Sequence, residues 1–203
     1  SNSDEARGIS ALTDGSALVT GCFASSTMTF ESGLTLANSV NSGGSADIFV
    51  AKISANGAWE WAAQIRGSSN IFVRAICTLE DGSALVTGHF PHGPITLGNV
   101  ITLSNSGIND IFVARISATG TWIWATKAGG SGNDYAHGIS ALADGSALVT
   151  GYYRSSNIRF GETTLYNNAS DATSDIFVAR ITPNITTVAP STSPTSLPTP
   201  VPT

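Results

Sequence analysis

The chain has 203 residues, with 9 Lys and Arg against 14 Asp and Glu, giving a formal net charge of −5. Charged residues make up only 11% where about 25% is usual, which argues against a nucleic-acid binder working through a basic face. A hydrophobic fraction of 41% is ample for a packed core, and no uninterrupted apolar run approaches the roughly 18 residues of a membrane-spanning helix.

With 27 Ser, 23 Thr and 21 Gly, the composition favours strands and turns over helices. The first predicted strand is the apolar segment GISAL at 8–12, and the second is SALVTG at 16–21. Asp14 and Gly15 join them, a pair that readily takes the positive φ of a hairpin turn. A variable stretch rich in Ser, Asn and Gly follows, with a short apolar segment at 33–37. The third strand, DIFVAKIS from Asp47, is apolar without alternation, as expected when both faces of a sheet are covered. After a turn at Asn56 and Gly57 comes AWEW, whose Trp59 and Trp61 are two apart and so are expected on one face.

The same elements then repeat. DGSALVTG occurs unchanged at 14–21, 81–88 and 144–151, and DIFVA starts at Asp47, Asp110 and Asp175. The unit is therefore about 65 residues long. In the second unit the variable stretch holds short segments within 95–103, and the fourth strand, TWIW, carries Trp122 and Trp124 after Thr119 and Gly120. The third unit ends in DIFVARIT with no tryptophan pair. Either 185–188 substitutes as a fourth strand, or that edge is left for another strand to cover. The expected domains are three repeats at about 1–67, 68–130 and 131–182, then a Pro/Ser/Thr-rich tail or linker at 183–203 holding six of the eight prolines.

A four-stranded sheet with two apolar faces is stable only when stacked on another, which is the logic of a propeller blade. DGSALVTG, a variable insert, DIFVAKI and a W-x-W strand, in that order, resemble the SBBP-type (bacterial-type) beta-propeller repeat. The resemblance spans roughly 4–182. It implies the fold and an extracellular or cell-surface location, and it brings no catalytic site. The expected fold is an all-β repeat protein of three four-stranded antiparallel propeller-like blades, incomplete as a closed propeller, with an extended Pro/Thr-rich C-terminal tail.

Closed propellers usually need at least four blades. If each open face leaves on the order of 500 Å² of apolar surface, the unsatisfied burial is roughly 12 kcal/mol as an upper bound. The expected partners are therefore copies of this chain, as a six-bladed ring from two chains or an open fibre, with glycans as further partners. Neither nucleic acid nor membrane insertion is expected. The expected function is a non-catalytic structural protein of a surface fibre or layer. The alternative is a carbohydrate-binding propeller module on a Pro/Thr stalk.

Candidate sites are few. Asn168 and Asn184 head N-glycosylation sequons, and Thr192, Ser193, Thr195, Ser196 and Thr199 lie between prolines like O-glycan acceptors. Trp59, Trp61, Trp122 and Trp124, with Phe49, Phe112 and Phe177, are assigned to inter-blade packing, although an exposed Trp could stack on a sugar ring. Asp14, Asp81 and Asp144 read as turn formers, and Asp47, Asp110 and Asp175 as strand caps. His89, His92 and His137 lack a metal-binding spacing, and Glu31, Glu60, Glu80 and Glu162 are too scattered for a glycosidase pair. No catalytic residue, metal site or cofactor is expected. Cys22 and Cys77 can form one disulfide or none.

Overall fold

The computed structural model describes residues 3–39, 45–167, 173–182 and, as backbone only, 186–188. These contain strands and turns and no helix. The first repeat supplies β1 (Asp4–Ala11), β2 (Ala17–Phe23), β3 (Thr27–Thr29), β4 (Thr35–Ala37), β5 (Asp47–Ile53) and β6 (Trp59–Gly67). The second supplies β7 (Phe72–Thr78), β8 (Ala84–Pro91), β9 (Ile95–Leu97), β10 (Ile101–Leu103), β11 (Asn109–Ile116) and β12 (Trp122–Gly129). The third supplies β13 (Asp134–Ala141), β14 (Ala147–Tyr153), β15 (Asn157–Phe160), β16 (Thr163–Tyr166), β17 (Asp175–Ile181) and β18 (Thr186–Val188).

Within each repeat the DGS segment makes a hairpin by the same local chemistry. Leu12 N–H donates to Ser16 O and Gly15 N–H to Leu12 O, so Thr13, Asp14 and Gly15 form a three-residue loop with Gly15 at φ 83°. The Asp14 carboxylate accepts from the Ser16 backbone N–H at 2.9 Å and from the Ser16 hydroxyl. Asp81 with Ser83 and Asp144 with Ser146 repeat this geometry. The glycine that ends each DGSALVTG string has a different reason. A Cβ on Gly88 would lie 1.9 Å from the Phe72 carbonyl oxygen and 2.8 Å from the Phe112 ring. Gly21 and Gly151 are crowded in the same way.

Three larger antiparallel sheets result, with strand orders β1-β2-β5-β6-β9-β10, β16-β15-β12-β11-β8-β7 and β13-β14-β17-β18, beside the two-stranded β3-β4. The variable stretches therefore do more than connect. The β9–β10 hairpin of the second repeat extends the sheet of the first, and β15–β16 of the third extends the sheet of the second. First strands pack against one another, β1 on β7 and β7 on β13. Ser10 and Thr78 share a 3.0 Å hydroxyl contact across the first of these junctions, and Thr78 Oγ1 donates to Ala11 O at 2.8 Å. The architecture is an open series of sheets consistent with propeller-like blades, with no pairing among the described residues that joins the third sheet to the first.

Two apolar cores fill the junctions. Leu18, Ile48, Val50 and Ile65 of the first repeat meet Val86, Leu97, Phe112 and Ile116 of the second. Leu85, Ile111 and Val113 of the second meet Val149, Phe160, Phe177 and Ile181 of the third. A smaller cluster of Phe23, Phe30, Phe49 and Ala51 lies on the opposite face of the first sheet.

The tryptophan pairs do not share a face. Trp59 packs into the small cluster on one side of the first sheet, and Trp61 against the junction core on the other. Trp122 and Trp124 divide in the same way between the two junction cores. The cause is a β-bulge: Ile53 pairs with Trp59 but Lys52 with Trp61, and Ile116 with Trp122 but Arg115 with Trp124, so one extra residue inverts the alternation. The fourth strand of the third sheet is β18, which pairs with β17 beyond residue 182 inside the stretch read as tail. Cys22 and Cys77 are both free thiols.

Candidate assembly faces

Each repeat presents the same three side chains toward the repeat that follows it. In the first they are Leu18, Ile48 and Val50, each 0% exposed; in the second Leu85, Ile111 and Val113, exposed by 0%, 0% and 2%. In the third they are Leu148, Ile176 and Val178, exposed by 37%, 69% and 50%. Identical residues at identical strand positions thus differ only in whether another repeat lies against them.

The opposite face of the first repeat shows the complement. Val19, Phe49, Ala51 and Ile53 correspond to Val86, Phe112, Ala114 and Ile116, which the first repeat covers, and to Val149, Phe177, Ala179 and Ile181, which the second covers. On the first repeat this face borders an open hollow of about 410 Å³ lined by Val19, Met28, Phe30, Phe49, Ile53 and Trp59. Phe30 closes part of it, with its ring centroid 4.9 Å from Trp59 and 6.1 Å from Phe49. The face is therefore less open than an exposed 500 Å² would make it, because the β3–β4 hairpin of the same repeat folds over it.

The other assigned packing residues sit at the junctions. Trp61 Nε1 donates to the Ala118 carbonyl of the second repeat at 2.9 Å, and Trp122 Nε1 reaches back to the Gln64 carbonyl of the first at 3.3 Å. Among the described residues the buried Trp124 Nε1 has no hydrogen-bond partner; the position matching Ala118 is Pro183, which lies outside them. Asn168, Asn184, Thr192, Ser193, Thr195, Ser196 and Thr199 all lie outside the described residues as well.

The acidic candidates act locally. Hydrogen bonds from Ser16, Ser83 and Ser146 hold the Asp14, Asp81 and Asp144 carboxyls below the usual range. Arg115 bridges Asp81 and Ser83, and Arg180 bridges Asp144 and Ser146, so strand three locks the preceding turn. Asp47 is buried and accepts from Ser39 N at 2.7 Å, Gln64 Nε2 at 2.7 Å and Gly67 N at 3.2 Å, tying the variable stretch to β5 and β6. Asp110 accepts from Ser106 N at 2.8 Å and Lys127 Nζ at 3.0 Å. Asp175 begins β17 and is half-buried. Glu60 pairs with Lys52 at 3.0 Å and Glu162 lies 3.8 Å from Arg159, while Glu31 and Glu80 are exposed on separate turns. Among the described residues no group of three or more His, Cys, Asp or Glu is placed to hold a metal ion.

His89 is buried at the second junction, stacked on Phe72 at 4.9 Å and edge-on to Tyr135 at 4.6 Å. His92 and His137 are exposed, the latter stacked on Tyr152. Burial, reinforced by the charges of Arg74 and His137, pushes the His89 imidazole from 6.5 down to about 3. The unfolded chain takes up this proton near pH 6.5 and the folded chain only near about 3, so U binds more protons throughout that window. Stability therefore falls as pH drops through it, by up to about 1.4 kcal/mol per pH unit. Asp134, whose carboxyl burial pushes up, acts in the opposite sense above its ordinary 3.8. His89→Phe is expected to flatten the decline in urea midpoint from pH 6.5 to about 4; an unchanged profile would contradict a neutral buried imidazole.

The repeat positions of the tryptophans were legible from the sequence, but the three face residues and the cross-repeat hairpins were not. A signal for the hairpins exists in apolar residues two apart, Met28 with Phe30, Ile95 with Leu97, and Ile158 with Phe160.

No protein-family model matches the chain, and the SBBP resemblance rests on its motifs alone. The chain is 26% identical over 131 residues to an uncharacterized WD repeat-containing protein of Acanthamoeba polyphaga mimivirus, an alignment covering 53% of this chain. It spans only 9% of that protein's length. The unclosed series of antiparallel sheets and this distant likeness together point to a β-propeller-type repeat protein.

Proposed function

We propose that this chain is a non-catalytic structural protein of the extracellular space or cell surface that assembles with copies of itself, through its open sheet faces, into a fibre or layer. The observation that carries this reading is the unequal burial of Leu18, Leu85 and Leu148, of Ile48, Ile111 and Ile176, and of Val50, Val113 and Val178. The first two of each set are covered by a following repeat, and the third meets water. A face that twice accepts a repeat of this type is shaped to accept another, and a second copy supplies one in its Val19, Phe49 and Ile53 face.

Covering Leu148, Ile176 and Val178 is worth roughly 3 kcal/mol of apolar burial. Association carries an entropic cost of its own, so further contacts must accompany this face. Trp61 and Trp122, which a carbohydrate-binding module would turn toward a ligand, instead donate to backbone carbonyls across a junction. Negative-stain electron microscopy of the purified chain tests the reading. Fibres, layers or closed multi-chain rings are expected. Dispersed particles of single-chain size at every concentration would contradict it.

A further inference from the structure

The edge of the first repeat carries a feature that face packing does not use. Inside the chain, the variable-stretch hairpins of the second and third repeats are each added to the fourth strand of the repeat before. β9 pairs antiparallel with β6, setting Ile65 opposite Leu97, Arg66 opposite Thr96 and Gly67 opposite Ile95. β15 pairs with β12, setting Ala128 opposite Phe160 and Gly129 opposite Arg159. The equivalent β3–β4 hairpin forms a two-stranded sheet by itself, and among the described residues no strand lies on the outer side of β3.

The hydrogen-bond phase of that edge follows from the ladder. Phe30 N–H donates to Leu34 O and Asn38 N–H to Ser26 O, which makes residues 26, 28 and 30 the ones bonded inward to β4. Thr27 and Thr29 therefore present their backbone N–H and C=O groups outward, and both side chains are exposed. Thr29 corresponds to Thr96, which lies opposite Arg66 on β6. The adjoining Gly98 N–H bonds the Gln64 carbonyl at 3.2 Å, so the β9 edge is already in bonding phase with the strand it joins. At the other end of the chain, β18 pairs with β17 on one side and has no strand on the other among the described residues.

We propose that the β3–β4 hairpin of one copy adds to the outer edge of β18 of a second copy, continuing its sheet as β13-β14-β17-β18-β3-β4. This deepens the assembly reading and rests on it. The partner is a second copy of this chain. The same step seats the Leu148, Ile176 and Val178 face of that copy over the hollow lined by Val19, Phe49 and Trp59. Main-chain hydrogen bonds at the edge then supply what the apolar face alone lacks.

Thr29→Pro tests the edge separately from the face. It removes one outward N–H and leaves the inward β4 bonds of residues 28 and 30 in place. Sedimentation velocity over a concentration series should show association weakened at least about tenfold, with the thermal melting of the dilute chain unchanged and Thr29→Val behaving as the parent. In the parent protein, the Thr29 amide should gain hydrogen-exchange protection as concentration rises. Association of Thr29→Pro equal to the parent, or a Thr29 amide indifferent to concentration, would overturn the edge contact while leaving self-assembly standing. A parent chain that never associates would overturn both.

Discussion

Gly88→Ala is expected to cost about 3 kcal/mol or more, a large share of the roughly 5–15 kcal/mol that holds a domain folded. The added methyl would sit 1.9 Å from the Phe72 carbonyl oxygen and 2.8 Å from the Phe112 ring. Neither can withdraw cheaply. The carbonyl belongs to β7, paired to β8 on either side of a register shift between Val73 and Ala75, and Phe112 is fully buried in the first junction core. Gly57→Ala makes the comparison. That site is at φ 87° with nothing within 4 Å of a Cβ, so only the backbone conformation is penalised, by about 1 kcal/mol. Urea denaturation of the two variants checks the contrast. Equal midpoints would mean that β7 and β8 do not approach as closely as the glycine implies.

The second large effect compares one substitution at two equivalent positions. Ile111 is 0% exposed between the second and third repeats, and Ile111→Ala should cost about 2–5 kcal/mol through lost burial and the cavity left behind. Ile176 is the same residue at the same place in β17, 69% exposed. In dilute solution Ile176→Ala should change stability by about 0.5 kcal/mol or less, as surface substitutions do. At concentrations where the chain assembles, the cost should rise toward the Ile111 value, because assembly buries the side chain. The pair of variants thus reads out the same contact made once within the chain and once between copies. Thermal melts at low and high concentration measure both.

Much of this was legible in the letters. DGSALVTG and DIFVA, three times each, locate the second and third strands, and the Asp-Gly turns fall where expected. The unalternating DIFVA segments announce sheets covered on both faces, which Ile48 and Phe49, buried on opposite sides of β5, realise, whereas in β17 the same letters leave Ile176 and Val178 exposed. What the letters hid is geometry set between repeats. The bulge beside Trp59 and Trp61 defeats the rule that residues two apart share a face, and no residue type at Lys52 or Ile53 marks it. The variable stretches looked like connections because their strands are only three or four residues long. Two of the three hairpins join the sheet of the preceding repeat, and β3–β4 pairs within itself and packs over the first sheet. The third repeat's fourth strand carries no stronger signal. Thr186–Val188 carries no tryptophan pair, yet it pairs with β17 all the same.

The candidate site was visible as an expectation of open faces but not as particular residues, since Leu148, Ile176 and Val178 are identical in type to their buried counterparts. Only their surroundings distinguish them. The apolar surface left open is also smaller than the count of repeats suggests, because Phe30 of the hairpin β3–β4 packs on Phe49 and Trp59. That shifts weight from the face alone to the face and edge acting together.

The most direct measurement is the mass in solution of the parent chain and of Ile176→Asp, by sedimentation equilibrium across about a hundredfold range of concentration. The parent mass is expected to rise from 20.8 kDa to that of two or more chains, and the variant to stay at one. A parent held at 20.8 kDa throughout, or a charged residue at position 176 that leaves association untouched, would contradict this expectation.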